Sequence, residues 1–158
     1  MFYALLQGNS CDNKKRLCMN RYLLVCVFAT VMLVWSPMTV ADDITRVAAA
    51  LCDYAKQNNR SAMRKKLSQT RISLKRVFGG IGCGASDGFP GGDLLRTATY
   101  FGSFRTAKFI ALKLGKNGLK TPAQDGKNIL QWTEELQANG GGKAGDLSKF
   151  IEFYKSKM

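Results

Sequence analysis

Two groups of residues in this sequence could do chemistry: basic side chains that can bind anions, and cysteines that can form a disulfide. The basic group lies between Tyr54 and Ser86, where eight Lys and Arg residues occur without an acidic residue. Its members are Lys56 and the seven candidate binding residues Arg60, Arg64, Lys65, Lys66, Arg71, Lys75 and Arg76. Clustered cations attract phosphate-bearing polymers, so the run predicts an anion-binding or partner-binding surface. The alternative is a solvated helix face that keeps the protein soluble.

The cysteine pair is Cys52 and Cys83, since the other three cysteines fall within the first 41 residues. An even pair in a small exported domain favours a disulfide. Two buried free thiols are the alternative interpretation. A catalytic cysteine is disfavoured because the chain has no histidine to act as its base.

Nothing in the residue pattern indicates a catalytic, cofactor or metal site. The missing histidine excludes Ser-His-Asp and Cys-His arrangements, and zinc would depend on two cysteines and scattered carboxylates. Glu134 and Glu135 are adjacent, so on a helix they point about 100° apart and do not form an acid/base pair. The sequence therefore favours a protein that is not an enzyme and that holds neither cofactor nor metal.

The segment 79–92, GGIGCGASDGFPGG, is half glycine and predicts a loop. A phosphate-binding loop would end in Gly-Lys-Ser/Thr, which this segment lacks. We expect Cys83 to fix the loop to the first helix at Cys52, with the glycines permitting its sharp path.

The first 41 residues predict a signal peptide. An apolar run, Tyr22–Trp35, follows Arg21 and precedes Thr39-Val40-Ala41, whose small residues form a cleavage site before Asp42. Translation from Met19 would give a leader of ordinary length. The protein would then be exported, periplasmic or secreted. A membrane anchor over residues 22–41 is the alternative. Residues 42–158 form a single domain that keeps 20 of the 24 basic and ten of the 11 acidic residues, a net charge of about +10.

Apolar spacing predicts an all-α fold made of helical hairpins. The pattern starts a first helix at Asp42 or Asp43 and ends it at Asn58-Asn59. A second hairpin joins a helix from Leu94 to a helix that Gly115 and Gly118 stop, with Gly102 at the turn. A further helix is predicted by the apolar spacing of Ile129, Trp132, Thr133 and Leu136. The last helix carries Leu147, Phe150, Ile151 and Tyr154, and we expect Asp146 to cap it.

The spacing of Leu94 and Ala98 recurs 43 residues earlier, at Leu51 and Ala55, and 35 residues later, at Ile129 and Thr133. This recurrence indicates about three irregular helical units. Residues 93–136, with a small residue in the first helix, the Gly turn and the Asp125-Gly126 turn, resemble two consecutive ankyrin-type repeats. Residues 51 to about 113, with ALC, SAMRKKL, RISLKRVF, GCG and LLRTA, are similar to an uncharacterised family of small exported bacterial proteins. That resemblance implies export and no particular activity.

These patterns favour a small exported interaction module that presents a basic helical-repeat surface to a protein partner in the cell envelope. The alternative is a cationic protein that binds an anionic envelope polymer. Nucleic acid is a less favoured partner, because export separates the protein from it and only Phe78 offers a stacking ring nearby.

Overall fold

The apolar periodicity of the sequence becomes seven α-helices within residues 40–158, the part of the chain that the computed structural model describes. They are α1 (Val40–Lys56), α2 (Arg60–Gln69), α3 (Leu74–Val77), α4 (Leu94–Tyr100), α5 (Phe104–Lys120), α6 (Ile129–Ala138) and α7 (Ser148–Lys157). The predicted leader, the start at Met19 and the alternative anchor over residues 22–41 lie in or extend into residues 1–39, outside the described part. None of the described helices is long and apolar enough to cross a membrane.

The predominantly helical class is confirmed, but the glycine-rich segment is more ordered than a loop. It contains two short antiparallel strands, β1 (Gly82–Cys83) and β2 (Gly92–Asp93), which we call the glycine ribbon. Gly82 pairs with Asp93 and Cys83 pairs with Gly92. The strands are too short for periodicity to reveal them in the sequence.

The predicted turn of the second hairpin is confirmed at Gly102. This residue has φ +71°, a backbone conformation that favours glycine, and the N–H of Ser103 donates to the carbonyl of Ala98 at 2.8 Å. A Cβ at position 102 would also lie 3.3 Å from the Cβ of Ala144. Turn geometry and close packing therefore both require glycine here.

Three predicted helix boundaries are wrong in detail. Gly115 breaks the helical backbone, with φ +71° and ψ −178°, but helical turns resume and α5 continues through Gly118 to Lys120. Helix α1 already includes Val40, so neither Asp42 nor Asp43 caps it in this chain. Helix α7 begins at Ser148; the carboxylate of Asp146 still accepts from the Ser148 backbone N–H at 2.9 Å, which serves the expected capping role.

The core forms where the helices pack as antiparallel neighbours. Helix α1 packs on α2 and α4, α4 on α5, and α6 on α7. The Tyr154 side chain is fully buried between α7 and α4, and its hydroxyl lies 2.7 Å from the Thr99 hydroxyl. Because Thr99 donates to the Leu95 carbonyl, Tyr154 is the donor to Thr99. Burial raises the pKa of Tyr154 well above its usual value. Trp132, on the predicted helix that carries Ile129 and Leu136, is only half-buried and packs at the edge of the core.

The predicted disulfide between Cys52 and Cys83 is present, with the two Cα atoms 5.6 Å apart. It joins the middle of α1 to strand β1, and both cysteines are buried. The bond therefore fixes the glycine ribbon against the helical core.

Replacing both cysteines by alanine should lower the free energy of unfolding by roughly 3–4 kcal/mol, because the unfolded chain regains the freedom of a loop of about 32 residues. Denaturant unfolding of the oxidised protein, the reduced protein and the double variant measures the effect. The reduced protein should be destabilised comparably to the variant. Equal stability of the oxidised and reduced forms would show that the disulfide does not support the fold.

Candidate functional site

A hollow of about 290 Å³ lies where α2, α3 and α5 meet, and we call it the basic hollow. Its lining residues are Arg64, Leu67, Ser68, Ile72, Ser73, Leu74, Lys75, Phe109 and Lys113. Each cation sits beside a buried apolar residue of its own helix, so core packing places all three at the hollow. Arg64 follows Met63, Lys75 follows Leu74, and Lys113 precedes Leu114.

The charged residues that line the basic hollow are all positive. No carboxylate lines it, and none of its three cations forms an ion pair within the described residues. Arg64, Lys75 and Lys113 are all exposed. The half-buried ring of Phe109 adds a flat apolar wall, with the Lys113 Nζ and the Arg60 guanidinium carbon each 5.9 Å from the ring centroid. The hollow can therefore hold an anionic group beside a ring.

The structure brings together only part of the predicted basic surface. Arg64 and Lys75 line the basic hollow, and Arg60 reaches its edge over Phe109 while lining a second shallow depression with Arg105. The remaining predicted residues do not line the hollow: Lys65, Lys66, Arg71 and Arg76. Helical geometry explains this for α2, since Lys65 lies about 200° around the helix from the buried Met63 and points away from the core.

Sequence reasoning missed Phe109 and Lys113 as members of the basic hollow. Their spacing of four residues on α5 puts them on one helical face, and that signal is visible in the sequence. Which face of α5 meets α2 and α3 is decided by the burial of Ile110 and Leu114 against other helices. The missing information was therefore the packing partner.

A larger cleft of about 1030 Å³ lies between the glycine-rich segment 78–93 and the turn at 121–125. One wall is mainly backbone, because it contains most of the glycines of residues 79–92. The other wall carries the hydrogen-bonding side chains of Asn117, Thr121 and Gln124. We call this space the ribbon cleft. The glycine content and Cys83 predicted only a loop fixed by the disulfide, and no sequence pattern predicted a cleft.

Arg96 ties the two walls of the ribbon cleft together. Its guanidinium donates twice to the Asp125 carboxylate, both at 2.8 Å, and once to the Lys127 carbonyl at 2.8 Å. The guanidinium also stacks on Trp132, 5.2 Å from the ring centroid. The Arg96 side chain is nearly buried, so its charge is compensated by this fixed set of acceptors. Arg96 is therefore a positioning residue for the cleft walls.

Asp93 and Asp125 flank the same arginine, yet their pKa values shift in opposite directions. Burial raises the pKa of Asp93, whose Oδ2 lies 3.6 Å from the Arg96 Nε and is too far for a hydrogen bond. Its Oδ1 accepts from the backbone N–H groups of Leu95 and Arg96, both at 2.8 Å, and so caps α4. The two hydrogen bonds from Arg96 lower the pKa of Asp125 to about 2. The two pKa values therefore differ because burial desolvates Asp93, whereas Asp125 is exposed and accepts two hydrogen bonds from Arg96.

Comparison with known proteins gives one family. Residues 51–121 match a family described as a protein of unknown function, DUF3718. This segment contains both cysteines of the disulfide and the whole basic run, and it includes the glycine ribbon. The expected similarity to an uncharacterised family is confirmed. No curated protein and no solved structure matches the chain.

The substitution Asp125→Asn should lower the melting temperature at neutral pH, because Arg96 loses its charged acceptor. The difference from the unmodified protein should shrink in acid. Since the folded pKa of Asp125 lies near 2, below its ordinary 3.8, its stabilising effect is present above about pH 3.8 and is lost as the pH falls toward 2.

Thermal unfolding of the unmodified protein and of the Asp125→Asn variant at pH 7, 4 and 2.5 measures how their difference in melting temperature shrinks in acid. Asp87→Asn is the matched control, because Asp87 forms an exposed ion pair with Lys143 at 3.8 Å that contributes little. An Asp125→Asn deficit that stays constant across the three pH values would contradict the assigned role of the carboxylate.

Proposed function

We propose that this protein is a non-catalytic binding module that engages an anionic polymer of the cell envelope through the basic hollow. The supporting observation is the convergence of Arg64, Lys75 and Lys113 on one hollow that no carboxylate lines. The hydroxyl groups of Ser68 and Ser73 add neutral hydrogen-bond donors beside the three charges. Phosphate groups are bound by such combinations of cations and hydroxyls.

The charge of the whole domain supports this proposal. Residues 42–158 carry a net charge of about +10, so a negatively charged polymer is attracted over distances of roughly a Debye length, about 8 Å at physiological salt. The exposed lysines on other faces provide this general attraction. The basic hollow would then provide a defined contact, because Arg64, Lys75 and Lys113 border the same space and Lys113 lies over the ring of Phe109.

A protein partner is the second candidate, and the paired packing of the helices favours it. Helices α1 and α2, α4 and α5, and α6 and α7 form three successive hairpins. We propose an ankyrin-like stack of irregular units, whose hairpins would present one continuous face to a partner. The Gly102 turn between α4 and α5 resembles the Gly turn of ankyrin-type modules, whereas α1 and α2 are joined by Gln57-Asn58-Asn59. An interface of that kind has an apolar centre and would resist high salt.

The binding test compares two triple variants that carry the same change in net charge. Arg64→Glu/Lys75→Glu/Lys113→Glu reverses the basic hollow, and Lys120→Glu/Lys149→Glu/Lys157→Glu reverses three exposed lysines elsewhere. Long-chain polyphosphate is the probe, and fluorescence anisotropy is measured over a series of salt concentrations. We expect the first variant to bind at least about tenfold more weakly than the control variant, since three exposed charge contacts of roughly 0.5–1 kcal/mol each are lost.

Equal weakening in both triple variants would overturn the hollow as the contact and leave only general charge attraction. The protein-partner candidate predicts a different result. Retention of one envelope protein through a high-salt wash, unaffected by reversal of the hollow, would favour that candidate.

We also propose that the protein is exported after cleavage between Ala41 and Asp42, because an apolar run precedes the small-residue site there. Intact-mass analysis of protein recovered from the cell envelope should show a chain that begins at Asp42. It should be lighter than its reduced form by two hydrogen atoms, owing to the disulfide. A chain that retains Met19 would contradict cleavage and favour the membrane anchor.

A further inference from the structure

We propose that the ribbon cleft is a second binding site, separate from the basic hollow, and that its ligand is a neutral oligosaccharide chain. The cleft is the largest of the hollows described above, at about 1030 Å³, and it is large enough for several linked sugar rings. Its backbone wall and its hydrogen-bonding wall face the same space. The proposal rests on what each wall offers.

Four glycines of the backbone wall are not required by the fold. At Gly79, Gly80, Gly82 and Gly84 the backbone avoids positive φ, and an added Cβ would meet no atom within 4 Å. Every other glycine in the described part of the chain either has a positive φ or, at Gly118, would place a Cβ 2.8 Å from Leu114. The four unexplained glycines all line the ribbon cleft. Glycine without a local cause is typical of sites where a ligand approaches the backbone closely.

Gly82 lies in the glycine ribbon and Gly84 follows it, whereas Gly79 and Gly80 belong to the short 3-10 helix Phe78–Gly80 that precedes it. Cys83 is buried toward α1, where the disulfide holds it, whereas Gly82 is exposed on the opposite face of the strand. Position 84 follows on the same face as position 82 by the alternation of a strand. A sugar ring can lie against the backbone at Gly82 and Gly84 at van der Waals distance, because neither position carries a side chain.

The facing wall supplies the partners that sugar hydroxyl groups need. Asn117, Thr121 and Gln124 line the cleft and are exposed, and each side chain both donates and accepts hydrogen bonds. Asp93 adds an acceptor, since its Oδ2 makes no hydrogen bond to Arg96 at 3.6 Å. Hydroxyl groups are donors and acceptors at once, so they match this mixed set of amide, hydroxyl and carboxylate groups.

The chemistry of the ribbon cleft argues against a phosphate polymer and against a peptide as its ligand. Of the two cations that line it, Arg96 is already paired with Asp93 and Asp125, so only Lys75 is left to bind a phosphate chain. A peptide would bind best by extending a sheet, but the ribbon strands have only two residues each, and β1 already has β2 on one side and α1 on the other. Lys75 lines both the cleft and the basic hollow, so the two sites adjoin.

The test titrates the full chain with three neutral tetrasaccharides: cellotetraose, maltotetraose and tetra-N-acetylchitotetraose. Backbone amide NMR is the readout, because the N–H groups of Gly79, Gly80, Gly82 and Gly84 report directly on the cleft wall. We expect at least one sugar to shift these amides in a saturable way. Arg64→Glu/Lys113→Glu, which reverses two charges of the basic hollow outside the cleft, should leave the shifts unchanged, so failure of the hollow and failure of the cleft are distinguishable.

The variant Gly82→Gln/Gly84→Gln covers the backbone wall of the cleft with side chains and should weaken sugar binding at least about tenfold. Its melting temperature should not fall, because an added Cβ at either position has no neighbour within 4 Å and leaves room for the rest of the side chain to extend into the cleft. Ala49→Gln, at an exposed position of α1, is the matched control and should bind as the unmodified protein does. If the glutamine variant is nonetheless destabilised, Gly82→Ala/Gly84→Ala and Gln124→Ala provide smaller changes, each expected to weaken binding.

Three results would overturn the proposal. The first is the lack of a saturable shift at the four glycine amides with all three sugars at millimolar concentration. The second is sugar binding that the filled wall leaves unchanged. The third is binding of N-acetyl-tetraalanine amide in the cleft without binding of any sugar, which would assign the cleft to peptides.

Discussion

The disulfide between Cys52 and Cys83 is the constraint on which the described structure depends. A segment that is half glycine loses much conformational freedom when it is ordered, and glycine contributes no side chain to offset that loss. The glycine ribbon is ordered for two reasons. Cys83 forms a disulfide with Cys52 in α1, and Asp93, in strand β2, caps α4. One covalent bond and one helix cap thus hold a segment that could not fold alone.

Arg96 extends that constraint to the opposite wall of the ribbon cleft. Its position is fixed by α4, which starts at the ribbon, and its guanidinium holds the turn at Asp125 and the carbonyl of Lys127. Stacking on Trp132 connects the same side chain to α6. The cleft therefore has two walls that are anchored separately, by a disulfide on one side and by a charged hydrogen-bond network on the other. Such anchoring keeps an open cleft from closing on itself.

The basic hollow arises from a different principle. Its cations sit at the margins of buried helical stripes, so the packing of Leu74 and Leu114 also sets the positions of Lys75 and Lys113. Long basic side chains cover apolar surface with their stems while their charges stay in water. Lys75 lies between the hollow and the ribbon cleft and lines both.

The sequence by itself determined the helical class, most of the helices and the cysteine pairing. Apolar residues at helical spacing and glycines at turns are local signals, and Cys52 and Cys83 are the two cysteines beyond the predicted leader, which made them the expected pair. It did not reveal the glycine ribbon, since two-residue strands have no periodicity, nor the continuation of α5 past Gly115. The tertiary structure alone decided which basic residues converge. Each helix buries the face that carries its apolar residues, so Lys65 points away from the core, but only the packing of α2, α3 and α5 against one another brings Arg64 and Lys75 to Lys113.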